Sequence, residues 1–508
     1  MKVYLMYRDR DFDLEQSPPW NGQDLVQDLQ LTPVLGTMSA GDEFLSRVAQ
    51  SVLLSGLSNG TDVIFYRQAV LKDCLKNPAI VKRLYRLAVD VIGDKTVSHW
   101  TAGVTYSSWS LLSRAVEILK VFLGTLKTLK SIADQDAGKF ESEGFTEFFL
   151  RIKREITDEY LEEIEAHLEE LSLRDEVLIG ARLGKSNRGT NYILCKPNPP
   201  KKWIERAFRR RPKSYTFRIN DQDENAVRKF GELRNRGINS VANATAQSVD
   251  HVLNFLIMLR TELAFYLGCV NLHDRLAGID EPTCFPVPAV AGKYKLSSEG
   301  LYDLSLALSM GEQVVANDIN ADGKSRIIVT GANKGGKTTF LRSVGLSQMM
   351  MHGGMFVPAR SFSANLCTGL FTHFKRKEDV SLESGKLDEE LNRMSKIVDH
   401  LSADSLVLLN ESFAATNERE GAEIARQIVA ALSEKQVKII FVSHLYQLTH
   451  ELYKEKTDGM LFLRAERKMD GTRTYKLIEG EPLDTSYGID LYNIIFIADG
   501  KEKNAKVQ

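Results

Sequence analysis

The run Gly331-Ala332-Asn333-Lys334-Gly335-Gly336-Lys337-Thr338 fits the pattern GxxxxGK[ST]. It stands between the apolar run Arg326-Ile327-Ile328-Val329 and a helical segment holding Phe340, Leu341 and Arg342. A strand, a glycine turn and a helix in that order constrain the local fold more than any other feature of the chain. Glycines let backbone N–H groups curl around phosphate, and a helix N-terminus adds a favourable dipole. Lys337 is expected to neutralise β- and γ-phosphates, and the Thr338 hydroxyl to ligate Mg²⁺. A plain glycine-rich turn would not bring both flanking elements with it.

The surrounding sequence alternates strand-like runs with helical ones. Ser405-Leu406-Val407-Leu408-Leu409 and Lys438-Ile439-Ile440-Phe441-Val442 are continuous and apolar, as expected of a parallel sheet buried on both faces. The first of them ends at Asn410-Glu411, placing a polar pair at the phosphate-facing edge of the sheet. Glu411 is the candidate general base for water. Asp is the usual residue before such an acid, so Asn410 keeps an oxygen for the Mg²⁺ shell but loses the charge, and weaker Mg²⁺ binding or slower turnover is expected. The second run ends at Ser443-His444, where an imidazole would sense the γ-phosphate or position water.

Upstream the texture differs. Phe44, Val48, Leu53 and Leu57 recur at helical spacing, as do Leu112, Ala115, Ile118, Leu119 and Phe122. Residues 143 to 173 read as one long charged helix, with Ile152, Ile156, Tyr160 and Ile164 on one face, that projects from the body. Short strands are expected over 176–183, 191–194 and 215–219, and helix returns from Glu224 to Leu276 before Pro282, Pro286 and Pro288. The 508 residues suffice for about three domains. With 66 basic against 67 acidic residues, any nucleic-acid surface must be local. One such cluster spans residues 200 to 218, where Lys201, Lys202, Arg206, Arg209, Arg210, Arg211, Lys213 and Arg218 face a single acid, with Trp203, Phe208, Tyr215 and Phe217 interleaved. That mixture suits phosphate contacts with stacking, although basic runs are also common on solvated faces.

The run from Ile328 to Thr339, followed by Gly354-Met355-Phe356-Val357-Pro358-Ala359, resembles the ATPase domain of the MutS family of DNA mismatch-repair proteins. Val314-Val315-Ala316-Asn317-Asp318-Ile319 is similar to the family's element beside adenine, Ser486-Tyr487-Gly488-Ile489 to its C-terminal ATPase signature, and Arg67-Gln68-Ala69-Val70 to an Arg-Gln-x-Val element of its helical core. The resemblance implies ATP and Mg²⁺ as cofactors. Gly331, Asn333, Lys334, Gly335, Gly336, Lys337, Thr338, Thr339 and Asn317 would bind nucleotide, Thr338 and Asn410 the metal, and Glu411, His444 and Lys337 would carry hydrolysis. It also implies a homodimer through the ATPase domains, in which Ser384 and Gly385 act on the partner's nucleotide. Leu387 and Asp388 replace the small hydroxyl residues that normally follow them, and a solvated loop before an amphipathic helix stays open as the other reading. The basic cluster falls where the family carries a DNA clamp, so double-stranded or branched DNA is the implied partner, with repair-pathway proteins beside it.

The expected architecture is a multidomain α plus α/β chain. It comprises an N-terminal extension (1–24), a helical core and first lever (25–173), a clamp-like β-rich insertion (174–222), returning lever helices (223–290) and an ABC-type P-loop ATPase domain with a largely parallel sheet (291–508). The helical core starts near residue 25, which implies a minimal member without the family's mismatch-recognition and connector domains. Gly144-Phe145-Thr146-Glu147 imitates the family's Phe-x-Glu mismatch wedge but stands in the lever region, where chance similarity is the expectation. Five scattered cysteines without a CxxC pair suggest a reducing, cytoplasmic setting. No membrane span is expected, since the most apolar stretch, 249 to 271, carries Asp250, His251, Arg260 and Glu262. The rival function is a nucleotide-gated protein-binding scaffold with slow hydrolysis and no direct DNA contact; a small-molecule kinase is a more remote one.

Overall fold

The computed structural model of the protein describes residues 1–100, 107–172, 177–185, 189–196, 215–216, 218, 220, 222–292, 294–376, 385–455, 458–469 and 471–483. The basic residues Lys201 to Lys213, Ser384, and the 486–489 signature lie outside the described residues. Helices used below are α1 (Thr61–Lys76), α2 (Ser108–Asp136), α3 (Glu143–Glu155), α4 (Asp158–Leu171), α5 (Glu224–Ala277), α6 (Lys337–Gly353), α7 (Lys386–His400) and α8 (Glu418–Glu434). The chain divides into two compact units, one of residues 1–3, 79–141 and 145–263, the other of residues 4–78, 142–144 and 264–508.

In the first unit α2 buries Leu112, Ala115, Ile118, Phe122, Leu126 and Leu129 along one stripe, as their spacing predicts. The single charged helix expected over 143–173 is two helices, α3 and α4. Thr157 takes an extended conformation between them and caps α4, its hydroxyl accepting the Tyr160 N–H at 3.2 Å. Nor does α4 project. It packs along α2, with Lys127 paired to Glu165 at 2.7 Å and Lys130 to Asp158 at 3.1 Å. Phe145 is buried among Phe140, Phe148 and Phe149, so it serves as core and is not presented as a wedge.

Strands β1 (Leu178–Leu183) and β2 (Gly189–Cys195) form an antiparallel hairpin. Tyr215, Thr216 and Arg218, expected in a third strand, lie outside any strand. The returning helix α5 runs 54 residues, close to the expected span. By length and composition it could cross a membrane, but 67 % of its most apolar window is buried in the protein, as in a core helix.

In the second unit, residues read as an N-terminal extension are core. Leu5 and Met6 are fully buried, and the Leu5 carbonyl accepts the Tyr266 hydroxyl at 2.6 Å. The remaining strands are β3 (Val287–Ala289), β4 (Leu296–Leu301), β5 (Asn317–Asn320), β6 (Arg326–Gly331), β7 (Ser361–Asn365), β8 (Leu370–Phe374), β9 (Leu406–Asn410), β10 (Lys438–Val442), β11 (Met460–Arg467) and β12 (Arg473–Glu479). Six of them form a sheet ordered β12-β11-β6-β10-β9-β8, parallel except for β12 at its edge. Every residue of β8, β9 and β10 is buried, which is why these strands read as unbroken apolar runs. A second sheet, β3-β7-β4-β5, is mixed. Its short strands, such as Leu296-Ser297-Ser298-Glu299-Gly300-Leu301, carry too little alternation to be read from sequence.

Candidate functional site

The site forms where β6 ends. Gly331 and Gly336 take φ of +106° and +88°, backbone open to glycine and strained for other residues. Space closes the choice further, since a Cβ on Gly331 would stand 2.8 Å from the Ala465 amide nitrogen and one on Gly335 2.8 Å from the Ala332 carbonyl oxygen. Helix α6 starts at Lys337, so the unpaired amides of its first turn open onto this bend. Lys337 is folded back on the turn, its Nζ donating to the carbonyls of Gly331 (2.9 Å) and Ala332 (2.8 Å). Burial lowers its pKa to about 8, with Glu411 opposing the shift and Arg473 adding to it.

Two neighbouring parallel strands deliver the rest. The Thr338 hydroxyl donates to Asn410 Oδ1 at 3.0 Å. Glu411, at φ +53°, donates its N–H to the Val442 carbonyl at 2.9 Å. Its Oε1 lies 2.6 Å from His444 Nε2. That hydrogen bond is the main reason the Glu411 carboxyl is held below its ordinary range, and the Lys337 and Lys375 charges add to it. The structure thus brings Lys337, Thr338, Asn410, Glu411 and His444 to one edge of the sheet. Among the described residues no three His, Cys, Asp or Glu converge as a metal site. A hard cation shared with phosphate nevertheless suits the threonine. Its hydrogen is spent on Asn410, so its lone pairs stay free, and Asn410 stands behind it as the orienting group.

A cavity of about 490 Å³ opens beside the turn, lined by Asn333, Lys334, Gly335, Gly336, Thr338, Thr339 and Glu411, and by Leu306, Met310, Val314 and Val315 at an apolar end. Asn317 lines it too, but its amide is engaged with β12, donating to the Tyr475 carbonyl (3.2 Å) and accepting from the Leu477 N–H (2.7 Å). Strand β12 supplies two residues that the sequence gave no cause to single out. The half-exposed Tyr475 lines the cavity, and Arg473 Nε donates to the Asn333 carbonyl at 2.7 Å. Neither stands in a recognisable spacing. Gly385 is exposed, immediately ahead of α7, and is not among the residues lining the cavity.

A parallel sheet whose strand feeds a glycine turn and a lysine-led helix, with an acid and a histidine just past the adjoining strands, is the context that the GxxxxGK[ST] pattern requires of its class of α/β domain. Family comparisons narrow the class: the MutS2 N-terminal domain matches residues 59–279 and MutS domain V matches residues 327–506. The chain belongs to the MutS family. It is 29 % identical over 239 residues to the DNA mismatch repair protein MutS of Thermotoga petrophila, covering 45 % of this chain and 30 % of that protein. It is 32 % identical over 253 residues to MutS of Leptospira interrogans, covering 44 % and 29 %. The aligned stretch therefore spans less than a third of each relative.

Proposed function

We propose that the chain is a MutS-like ATPase that binds ATP with Mg²⁺ at the β6–α6 turn, hydrolyses it, and uses the cycle to switch its hold on DNA. The observation that carries this reading is the convergence of Lys337, Thr338 and Glu411 on one cavity, with His444 hydrogen-bonded to Glu411. Phosphate oxygens would replace the two carbonyls that now hold Lys337, and the turn amides would take up the rest of the triphosphate. The apolar end by Val314, Val315 and Tyr475 suits a base. Thr338 would hold Mg²⁺, whose charge would neutralise the β- and γ-phosphate oxygens. Glu411, ionised and oriented by His444, accepts a proton from water as its oxygen bonds to the γ-phosphorus and the bond to ADP breaks. His444 stands near enough to the same carboxylate to read the state of the γ-phosphate.

Dimerisation through this domain, with Ser384 and Gly385 completing the partner's site, belongs to the same proposal, as do repair-pathway partners and a cytoplasmic setting that suits five free cysteines. DNA contact is assigned to the basic run from Lys201 to Lys213. The test is retention of mismatched, homoduplex, branched and single-stranded DNA at two salt concentrations, with and without ATP, by the wild type, Lys337→Ala and an Arg209, Arg210, Arg211→Ala variant. Nucleotide-dependent retention that the arginine changes abolish supports the proposal. Intact hydrolysis with no retention of any DNA would transfer the reading to a nucleotide-gated protein scaffold.

Two outcomes follow from the turn itself. In the free protein Lys337 loses its proton above about pH 8, whereas bound phosphate would keep it charged, so binding takes up a proton above that pH. ATP affinity is therefore expected to fall by up to about tenfold per pH unit beyond 8. The always-charged Lys337→Arg variant should flatten that slope, and nucleotide titrations from pH 7 to 9.5 would read both. Asn410→Asp turns the acceptor of the Thr338 hydroxyl into a carboxylate, and half-maximal Mg²⁺ should drop by about tenfold, because charge-assisted hydrogen bonds are roughly twice as strong. An unchanged Mg²⁺ requirement would place Asn410 outside the metal's influence.

A further inference from the structure

The turn that follows Glu411 is held from two sides. Glu411 and Phe413 both adopt left-handed backbone, at φ +53° and +64°, a region costly for residues with a Cβ unless their surroundings fix them. The Phe413 N–H donates to Glu390 Oε2 at 2.8 Å. Ser412 Oγ lies 2.7 Å from His373 Nδ1 and 2.8 Å from the His373 carbonyl oxygen. His373 Nε2 lies 3.0 Å from the Glu390 carbonyl, and its ring stacks on Phe413 with centroids 5.3 Å apart. His373 and Phe413 are fully buried and Glu390 is 9 % exposed. Burial lowers the His373 pKa to about 4. The Ser412 hydroxyl donates to the His373 carbonyl, and the two ring nitrogens of His373 bridge Ser412 Oγ and the Glu390 carbonyl.

Residues 411 to 413 are thus held by β8 through His373 and by α7 through the Glu390 carboxylate, while the Glu390 carbonyl holds the His373 ring. Arg393, one turn further along α7, ties the helix to β8 again by donating to the Phe374 carbonyl at 3.0 Å. Helix α7 begins directly after Gly385.

We propose that Glu390, assisted by His373, is a positioning residue for hydrolysis, holding the 411–413 turn so that the Glu411 carboxylate stays aimed at the attacking water. The inference rests on Glu411 acting as the general base. A buried carboxylate with a purely structural role would lower stability and nucleotide affinity together; a positioning residue lowers turnover at unchanged affinity.

The test measures single-turnover hydrolysis and nucleotide Kd on the full chain for Glu390→Ala and Glu390→Gln, each alone and combined with Glu411→Gln. Glu390→Ala is expected to slow hydrolysis by about 10- to 100-fold, the range for a displaced catalytic group, with Kd changed by no more than about twofold. Glu390→Gln keeps an oxygen acceptor for the Phe413 N–H and should restore most of the rate. In the Glu411→Gln background the alanine change should cost nothing more, because its effect passes through Glu411. A rate for Glu390→Ala within about twofold of wild type, an equal loss in the Glu411→Gln background, or a Gln variant no better than Ala would each overturn the proposal. If Glu390→Ala does not fold, Glu390→Asp, which withdraws the carboxylate by one methylene and keeps its charge, is judged by the same criteria. A Glu411→Gln variant that hydrolyses at the wild-type rate would overturn the general-base reading, and the inference with it. Loss with Glu411→Gln but not with Glu390→Ala would overturn the inference alone.

Discussion

Replacing Glu411 by Gln is expected to lower ATP hydrolysis by about 10²- to 10⁴-fold, the usual contribution of a general base, while ATP binding stays near the wild-type level. The substitution is isosteric, so the left-handed turn at φ +53° and the N–H bond to the Val442 carbonyl need not change. The amide oxygen still accepts from His444 Nε2, which lies 2.6 Å from Oε1. What disappears is the ability to take a proton from water. In the proposed site binding would be borne by the turn amides, Lys337 and Thr338, and the side-chain bonds of Lys337 and Thr338 do not involve Glu411. The measurement is phosphate release in a single turnover beside an equilibrium titration with nucleotide. A variant that keeps its turnover would relieve Glu411 of the role and move attention to His444, the other proton-accepting group at this edge.

The parts of this site that sequence makes legible are those written in consecutive residues. The glycine turn, Lys337 and Thr338 lie within eight positions, and each chemical role there depends on the neighbouring strand and helix, whose patterns are equally local. Glu411 and His444 are legible for a related reason: each follows an unbroken apolar run, and parallel strands deliver their C-terminal ends to one edge of a sheet.

Contacts made by distant and unpatterned residues are not legible in this way. Arg473 and Tyr475 reach the turn because β12 folds back antiparallel along β11, and nothing in Arg473-Thr474-Tyr475 announces that return. The grip on the 411–413 turn is similar, since Glu390 reads as one more acid on a charged helix and His373 as a residue inside a buried strand. The break at Thr157 has a different cause. A β-branched residue with a hydroxyl is compatible with a continuous amphipathic stripe, and the capping bond to Tyr160 decides the matter only once the helix entry angle is set. At the N-terminus, the helical pattern starts only near residue 25, and that boundary carries no information on burial: Leu5 and Met6, well ahead of it, are buried.

Arg67→Ala is expected to destabilise the second unit by about 3–5 kcal/mol, the range for removing a buried, hydrogen-bonded charged side chain. Arg67, on α1, is wholly buried. Its Nε donates to the Met6 carbonyl at 3.1 Å and its Nη1 to the Gly353 carbonyl at 3.3 Å, and its guanidinium lies over the Tyr7 ring at 4.6 Å. Gly353 ends α6, so the cation sits at the negative end of the helix that carries Lys337 and Thr338 at its other end. The fit is close: a Cβ on Gly354, already at φ +79°, would meet the Arg67 Cβ at 2.5 Å. Truncation leaves the Met6 and Gly353 carbonyls without this donor and opens a cavity under Tyr7. Arg67→Met refills much of that volume without restoring the donors, and should recover part of the loss, leaving about 1–3 kcal/mol. Urea unfolding would measure both variants, and the transition that ATP shifts to higher denaturant identifies the unit concerned. A loss below about 1 kcal/mol for the alanine variant would mean that water replaces the guanidinium at both carbonyls, and that α6 is anchored elsewhere.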